Sequence, residues 1–305
     1  MAASPEKNYK AVLAEFRTYL RLERAMSPNT VSGYCTDVEK FLEYLEVVGV
    51  DSPEKATGDN LTGYISALNE KELSKRSQAR TISALKSFFR YMEQEKTIDE
   101  NPCDRLDTPK LQRYLPTVLS VEEVERIIAA VDLSLPEGHR NKAMIEMLYG
   151  CGLRVSELVN LRISDCFFEE QFIRVIGKGD KQRLVPVGGP AIKAVKLYLQ
   201  GRALQPVARG CEDVLFLNRR GGKISRNMVF LIVRELSEAA GIGKEISPHT
   251  FRHSFATHLV ENGADLRVVQ QMLGHASILT TEIYTHIDTA KWQATILKFH
   301  PVRND

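Results

Sequence analysis

Apolar residues recur at spacings of three and four along nearly the whole chain, and this helical period breaks at one place. Positions i, i+3, i+4 and i+7 share a face only on a 3.6-residue helix, so a chain patterned this way must be mainly α. Over residues 7–107 every stripe is helical: Tyr9, Leu13, Phe16 and Leu20; then Val31, Val38, Phe41 and Leu45; then Leu61, Tyr64, Ile65 and Leu68; then Ile82, Leu85, Phe88, Phe89 and Met92. Start signals separate them: Ser27 with Pro28, Thr57 or Asp59, and Ser74 or Ser77. The pattern predicts a four-helix bundle over 1–107.

Residues 108–116 lie in a stretch that carries Pro102, Pro109 and Pro116 with no sustained period, and they are expected to form a linker. A second domain over 117–305 then opens with a capping box, Ser120 and Glu123, followed by a helix at 139–149 and another bearing Arg154. The break in period comes next. Residues 172–176 and 183–187 are rich in β-branched side chains and flank GKGDKQ, which predicts an antiparallel hairpin with Lys178 in its turn. Pro186 cannot donate to a ladder, so its strand belongs at an edge. Helices are expected again at 191–199 and 227–240, and a short amphipathic tail carries Trp292, Ile296, Leu297 and Phe299. The expected architecture is mainly α, with a second domain of mixed α/β class that is mostly helical around a small antiparallel sheet.

With 43% hydrophobic and 26% charged residues the composition is that of a soluble globular protein. The first residues lack the apolar core of a secretory signal, and no run approaches the ~18 apolar residues that span a bilayer, so a cytoplasmic protein is expected. Five scattered cysteines, Cys35, Cys103, Cys151, Cys166 and Cys211, form no C-x-x-C pair and read as free thiols. Net charge is only +2, but it is unevenly spread. Lys71, Lys75, Arg76, Arg80, Lys86 and Arg90 face one acid, Glu72, and a second group gathers Lys178, Lys181, Arg183, Arg219, Arg220, Lys223 and Arg226. Such stripes suit a phosphate backbone, and a solvated helix face gives the same counts. Lys75, Arg76, Arg80, Lys86, Lys181, Arg183 and Arg226 are the candidate DNA contacts.

Residues 247–286 are the most crowded with chemistry. Ser247 and Pro248 start a helix that stops at Asn262-Gly263; Phe251, Phe255, His258 and Leu259 share its packing face, while His249, Arg252, His253 and Ala256 share the face left over. Asp265 caps a second helix, striped by Leu266, Val269, Met272 and Leu273, which closes at Gly274 before His275. Arg252 and His249 lie in an opening helical turn, where orphan amides and the dipole favour an anion. The informative set is Arg154, Lys178, His249, Arg252, His275 and Tyr284. It has no paired carboxylates for two metals and no glycine-rich phosphate loop for ATP. Two guanidiniums can neutralise a pentavalent phosphorane, a tyrosine with an ordinary pKa of ~10 needs a base and cations to attack phosphorus, and an amine can protonate a departing alkoxide. Singly, each has a plainer role: a surface arginine, a soluble turn lysine, a packed tyrosine. Histidines 249, 253, 258, 275 and 286 have no acidic or cysteine companion at a ligand spacing, so a zinc site is a poor account of them.

Four segments together resemble the tyrosine recombinases, the phage-integrase family, and within them the Xer subfamily: GCGLRVSEL at 150–158, VIGKGDKQRLVPV at 175–187, SPHTFRHSFATHL at 247–259 and LGHASILTTEIYTH at 273–286. The resemblance covers nearly the whole chain. It implies a SAM-like core-binding domain at the amino end and a catalytic domain after it. It implies that Tyr284 is a nucleophile forming a 3′-phosphotyrosyl bond, that Lys178 protonates the 5′ oxygen, that Arg154 and Arg252 clamp nonbridging oxygens, and that His249 and His275 assist proton transfer and phosphate binding. Glu157, one turn from Arg154, would orient a neighbouring cation. It further implies a double-stranded DNA recombination site, a homo- or hetero-tetramer with a paralogous recombinase exchanging strands through a Holliday junction, an activating DNA translocase, and no metal or ATP for the chemistry. The tail at 291–299 is expected to dock on an adjacent protomer. The absence of an arm-binding segment ahead of Tyr9 favours the Xer role over a mobile-element integrase, and the complete set of six argues against a regulator that has lost cleavage.

Overall fold

A computed structural model of the chain describes residues 5–70, 73–104, 106, 117–177, 182–274 and 286–301. The chain divides into two compact units, Met1–Tyr114 and Leu115–Asp305. The expected linker at 108–116 falls outside the described residues.

The first unit contains α1 (Pro5–Leu22), α2 (Pro28–Val47), α3 (Gly58–Glu70) and α4 (Lys75–Gln94), with one turn of 3₁₀ helix at Pro53–Lys55. Local chemistry sets the starts. Ser27 accepts the Thr30 amide at 3.3 Å, and Ser74 rather than Ser77 caps α4, accepting the Ser77 amide at 3.2 Å. Each such cap is worth about 1 kcal/mol. Thr57 settles the start of α3, because its hydroxyl accepts from the Asn60 amide while Asn60 Oδ1 accepts from the Thr57 amide. The stripes then meet in an aromatic core in which Phe16, Phe41, Phe88 and Phe89 are wholly buried. Phe88 stands edge-on to Phe16 at 5.2 Å and to Phe89 at 5.3 Å, the geometry ring quadrupoles favour. Asp37 is buried on α2, and both its oxygens accept from the Arg80 fork at 2.8 and 2.9 Å.

The second unit holds α5 (Val121–Ala129), α6 (Gly138–Gly150), α7 (Val155–Asn160), β1 (Cys166–Phe167), β2 (Phe172–Ile176), β3 (Gln182–Pro186), α8 (Gly189–Arg202), α9 (Arg226–Ala239), α10 (Pro248–Glu261), α11 (Leu266–Leu273) and α12 (His286–Phe299). The Ser120 and Glu123 capping box forms as expected. Helix α6 is the centre: Met144, Ile145, Met147, Leu148 and Tyr149 are all wholly buried, which covers every side of it, and α8 and α10 pack against it. The three strands make one antiparallel sheet in the order β1-β2-β3, so β3 lies at its edge, where Pro186 requires it. The two-residue β1 is too short to show a period, and sequence reasoning missed it. In the hairpin Val175 faces Arg183 and Phe172 faces Pro186; the turn at 178–181, with Lys178 and Lys181, is outside the described residues.

One expectation changes. Leu266 is half-exposed, so the apolar stripe of α11 is Val268, Val269, Met272 and Leu273. The tail helix α12 buries Trp292 and Ile296 in the core of its own unit, packed on α10 and β3. Asn262 Nδ2, from the end of α10, donates to the Phe299 carbonyl at 2.7 Å and fixes the end of that helix. Among the described residues no helix is long and apolar enough to cross a membrane.

The aromatic core predicts that Phe88→Ala lowers the unfolding free energy by about 3–5 kcal/mol, read by urea titration of the full chain, while Phe167→Ala, at a ring that is 38% exposed, changes it little.

Candidate active site

Glu157 is the residue the site is built on. Helix α7 begins at Val155, so Arg154 is its N-cap, with extended dihedrals of φ −71° and ψ 147°, and Glu157 falls at the third helical position. From there its carboxylate turns back to accept the Arg154 amide at 2.8 Å, as the glutamate of a capping box does. The same carboxylate accepts Arg154 Nη1 at 2.8 Å and, from β3, Arg183 Nη1 and Nη2 at 2.8 and 3.0 Å. Arg252 Nη1 of α10 stands 3.8 Å away. Three guanidiniums thus surround one carboxylate whose side chain is 2% exposed.

The end of α11 supplies the second set of acceptors. Asp265 caps its start by accepting the Arg267 amide at 2.7 Å, and Gly274 ends it in the left-handed conformation at φ 64°, which suits glycine. Three consecutive carbonyls at that end each take one arginine: Met272 accepts Arg183 Nε at 3.0 Å, Leu273 accepts Arg252 Nη2 at 2.5 Å, and Gly274 accepts Arg154 Nη2 at 3.1 Å. The last carbonyls of a helix have no intrahelical partners and sit at the negative end of its dipole, so cations belong there. Arg252 Nη1 also donates to Gly152 at 2.7 Å. Gly152 has φ 58°, and a Cβ there would lie 2.6 Å from the Phe255 ring, so no side chain fits.

One carboxylate and a helix end leave the cluster with an excess of positive charge. Burial, and after it the charge of Arg154, pulls the Arg252 guanidinium down to about 10, so it stays charged at neutral pH. Burial pushes the Glu157 carboxyl up, but its hydrogen bonds and charges with Arg183 and then Arg154 outweigh that and hold it below the ordinary carboxylate range. Arg154 is one-third exposed, and His249 is exposed in the first turn of α10, three residues before Arg252. A guanidinium has five N–H donors. On each of Arg154 and Arg252 the bonds above engage two, which leaves further N–H donors for the oxygens of an anion.

The structure therefore brings Arg154 and Arg252 together around Glu157 and the end of α11, and leaves His249 exposed in the first turn of α10, three positions before Arg252. Lys178, His275 and Tyr284 lie outside the described residues, as does Lys181. The helical wheel placed Arg252 on a left-over face, and it is instead buried, drawn in by Gly152, Leu273 and Glu157. His253 is exposed, and His258 is buried with Nδ1 at 2.9 Å from the Tyr149 hydroxyl. Among the candidate DNA contacts, Lys75 and Arg76 are exposed in the first turn of α4, a turn with no acid, where their charge adds to the positive end of the dipole and favours an anion. Arg226 is exposed at the start of α9; Arg80 is 58% exposed but held by Asp37, and Lys86 is half-buried. Arg183 is a correction: its side chain is 5% exposed and its three nitrogens are bonded to Glu157 and Met272, so it is not placed to meet a DNA phosphate. The signal was present in the sequence, because Arg183 shares the parity of Val185 and Val187, the buried face of the strand.

The comparisons with known proteins agree in kind. The family model described as "Phage integrase family" matches residues 117–291, and "Phage integrase, N-terminal SAM-like domain" matches 13–96. The tyrosine recombinase XerD of Chlorobaculum tepidum is 46% identical, over 97% of this chain and 98% of that protein. The XerD of Listeria monocytogenes is 40% identical, over 95% and 98%. Among solved structures, the XerH site-specific recombinase bound to a palindromic difH substrate in a post-cleavage complex superposes with a TM-score of 0.70 at 27% identity, covering 96% of this chain and 84% of that one.

The ion cluster predicts a pH signature. Because the Glu157 carboxyl is held below its ordinary value, the stability it contributes is present above the unfolded pKa of 4.5 and is lost as pH falls through the folded one. Glu157→Gln leaves Arg183 buried without a counter-ion, costing about 3–5 kcal/mol at neutral pH. Thermal melts across pH should show wild type converging on the variant in acid; a gap that persists or widens below pH 4 contradicts the assignment.

Proposed function

The chain belongs to the phage integrase family, and from that membership we propose that it is a site-specific DNA recombinase of the Xer type that resolves chromosome dimers. The observation that carries the proposal is the placing of Arg154 and Arg252 on consecutive carbonyls at the end of α11, with Glu157 between them and His249 one turn away on α10. That arrangement is an unusually cationic, pre-set anion site.

In this reading the Tyr284 oxygen attacks the scissile phosphorus, the bond from phosphorus to the 5′ oxygen breaks, and the strand is left as a 3′-phosphotyrosyl ester. His249 takes the tyrosine proton, and Lys178 gives one to the departing 5′ oxygen. Arg154 and Arg252 hold the nonbridging oxygens as charge builds on them, and His275 adds a donor. Attack of a 5′ hydroxyl from the partner duplex on the phosphotyrosine then rejoins the strand, and the bond energy is conserved throughout. No step calls for a metal or ATP. Two such exchanges, on a tetramer holding two duplexes, pass through a Holliday junction; the tetramer comprises this chain alone or with a paralogous recombinase, and a DNA translocase activates it. Lys75, Arg76, Arg80, Lys86, Lys181 and Arg226 meet the DNA. The XerD relatives, matched over nearly their full lengths, favour this housekeeping role over a mobile-element integrase.

A nicked suicide duplex carrying the recombination site should trap a covalent adduct that survives denaturation and EDTA and is absent from Tyr284→Phe; no wild-type adduct would contradict the proposal. Arg252→Ala should bind that duplex within about threefold of wild type and form adduct at least about a hundredfold more slowly, the usual effect of removing one transition-state donor. Equal loss of binding and cleavage would make Arg252 a phosphate grip only.

A further inference from the structure

Arg183 is the one arginine of the cluster for which the mechanism above has no use, and it is the most deeply buried of the three. It also makes the most complete set of bonds. Nη1 and Nη2 clasp both oxygens of Glu157, and Nε donates to Met272, so one planar group is fixed from three directions.

We propose that Arg183 is a positioning residue for strand cleavage: its fork locks β3, Glu157 and the end of α11 into one register, and thereby sets where Arg154 and Arg252 present their donors. The proposal rests on the recombinase reading of the site.

Three observations support it. First, the elements it joins are far apart in sequence, α7, β3 and α11, and each carries or abuts a proposed catalytic group. Arg154 caps α7, Lys178 precedes Arg183 by five positions at the head of β3, and the carbonyls that hold Arg252 and Arg154 follow directly on Met272. Secondly, the fit is close. Arg183 Nε donates to the Met272 carbonyl at 3.0 Å, and the next two carbonyls along the same backbone, Leu273 and Gly274, accept from Arg252 and Arg154. A shift of Arg183 would move the Gly274 carbonyl that Arg154 uses. Thirdly, stability gives no reason to retain the charge. Burying an ion costs several kcal/mol, and apolar residues of similar volume often replace a buried pair with no net loss. What an apolar plug cannot supply is a fixed direction for the Glu157 oxygens, and those oxygens orient Arg154. Lysine cannot supply it either, because an ammonium is a point charge without a planar fork.

The test uses the full chain and a nicked suicide duplex on which wild type forms its covalent adduct, with binding followed by gel shift on the same duplex. Arg183→Gln should bind within about threefold of wild type but form adduct about a hundredfold more slowly, the usual cost of displacing catalytic groups by about 1 Å. Arg183→Lys, which keeps the charge, should fold and still lose about tenfold, since an oriented fork rather than a charge is missing. The pH profile separates positioning from simple loss of packing. Without the bonds and charge of Arg183, burial dominates at Glu157 and its carboxyl takes a proton at higher pH, so the acid side of the adduct-formation profile moves upward in Arg183→Gln. If Arg183→Gln does not fold, Arg183→Lys decides alone. A folded Arg183→Lys at the wild-type rate overturns the proposal, and so does parallel loss of binding and cleavage, which would make Arg183 a DNA contact. A wild type that forms no adduct contradicts the recombinase reading itself and takes this proposal with it.

Discussion

Three arginines cannot be packed side by side inside a protein unless something holds them there, and in this chain that something is Glu157. Like charges a few ångströms apart repel, and each guanidinium also gives up hydration as it is buried. One carboxylate, 2% exposed and bonded to Arg154 and Arg183 with Arg252 close by, offsets part of both costs. The rest is offset by the end of α11, whose last carbonyls lack helical partners and are spread along the backbone so that each arginine takes a different one. The balance is incomplete by design of the charges alone, since three cations meet one anion. A phosphodiester bound by the arginines would complete it.

Much of the fold serves to keep this cluster rigid. The left-handed glycine at 274 stops α11 where its carbonyls can be reached, and the positive φ at Gly152 lets the chain turn against Phe255 and offer its carbonyl to Arg252. Around them α6 is buried on all sides, and α12 closes the unit through Trp292 and Ile296. A core packed at crystal-like density transmits small displacements rather than absorbing them, so residues distant from the phosphate site can still set its geometry. The first unit uses an aromatic core in which, among the described residues, one carboxylate is buried, Asp37, paired to Arg80. There the ion pair is half open to solvent, and its arginine remains at the surface.

The helices were legible because their stripes are long and their caps local: Ser27, Ser74, Ser120 and Asp265 each begin an element by bonding amides within three residues. The hairpin was legible from a change of period. What sequence could not show was which polar residues turn inward. Arg252 sits one position from Phe251 and three from Phe255, so a helical wheel leaves it on the border between faces, and only Gly152 and Leu273, remote in sequence, draw it inside. Arg183 lies in a basic run and so looks like a DNA contact, although its alternation with Val185 points inward; its partner Glu157 lies 26 positions earlier, and no local rule couples them. The two-residue β1 carried no period at all.

Glu157 couples arginines that form no bond with each other. A double-mutant cycle on unfolding free energy, with Arg154→Gln and Arg183→Gln, measures that coupling in the wild-type background and again in Glu157→Gln. With Glu157 present the coupling should be about 0.5–3 kcal/mol, and once the carboxylate is gone the two effects should add within about 0.5 kcal/mol. Additive effects in the wild-type background, or a coupling that survives Glu157→Gln, would contradict it.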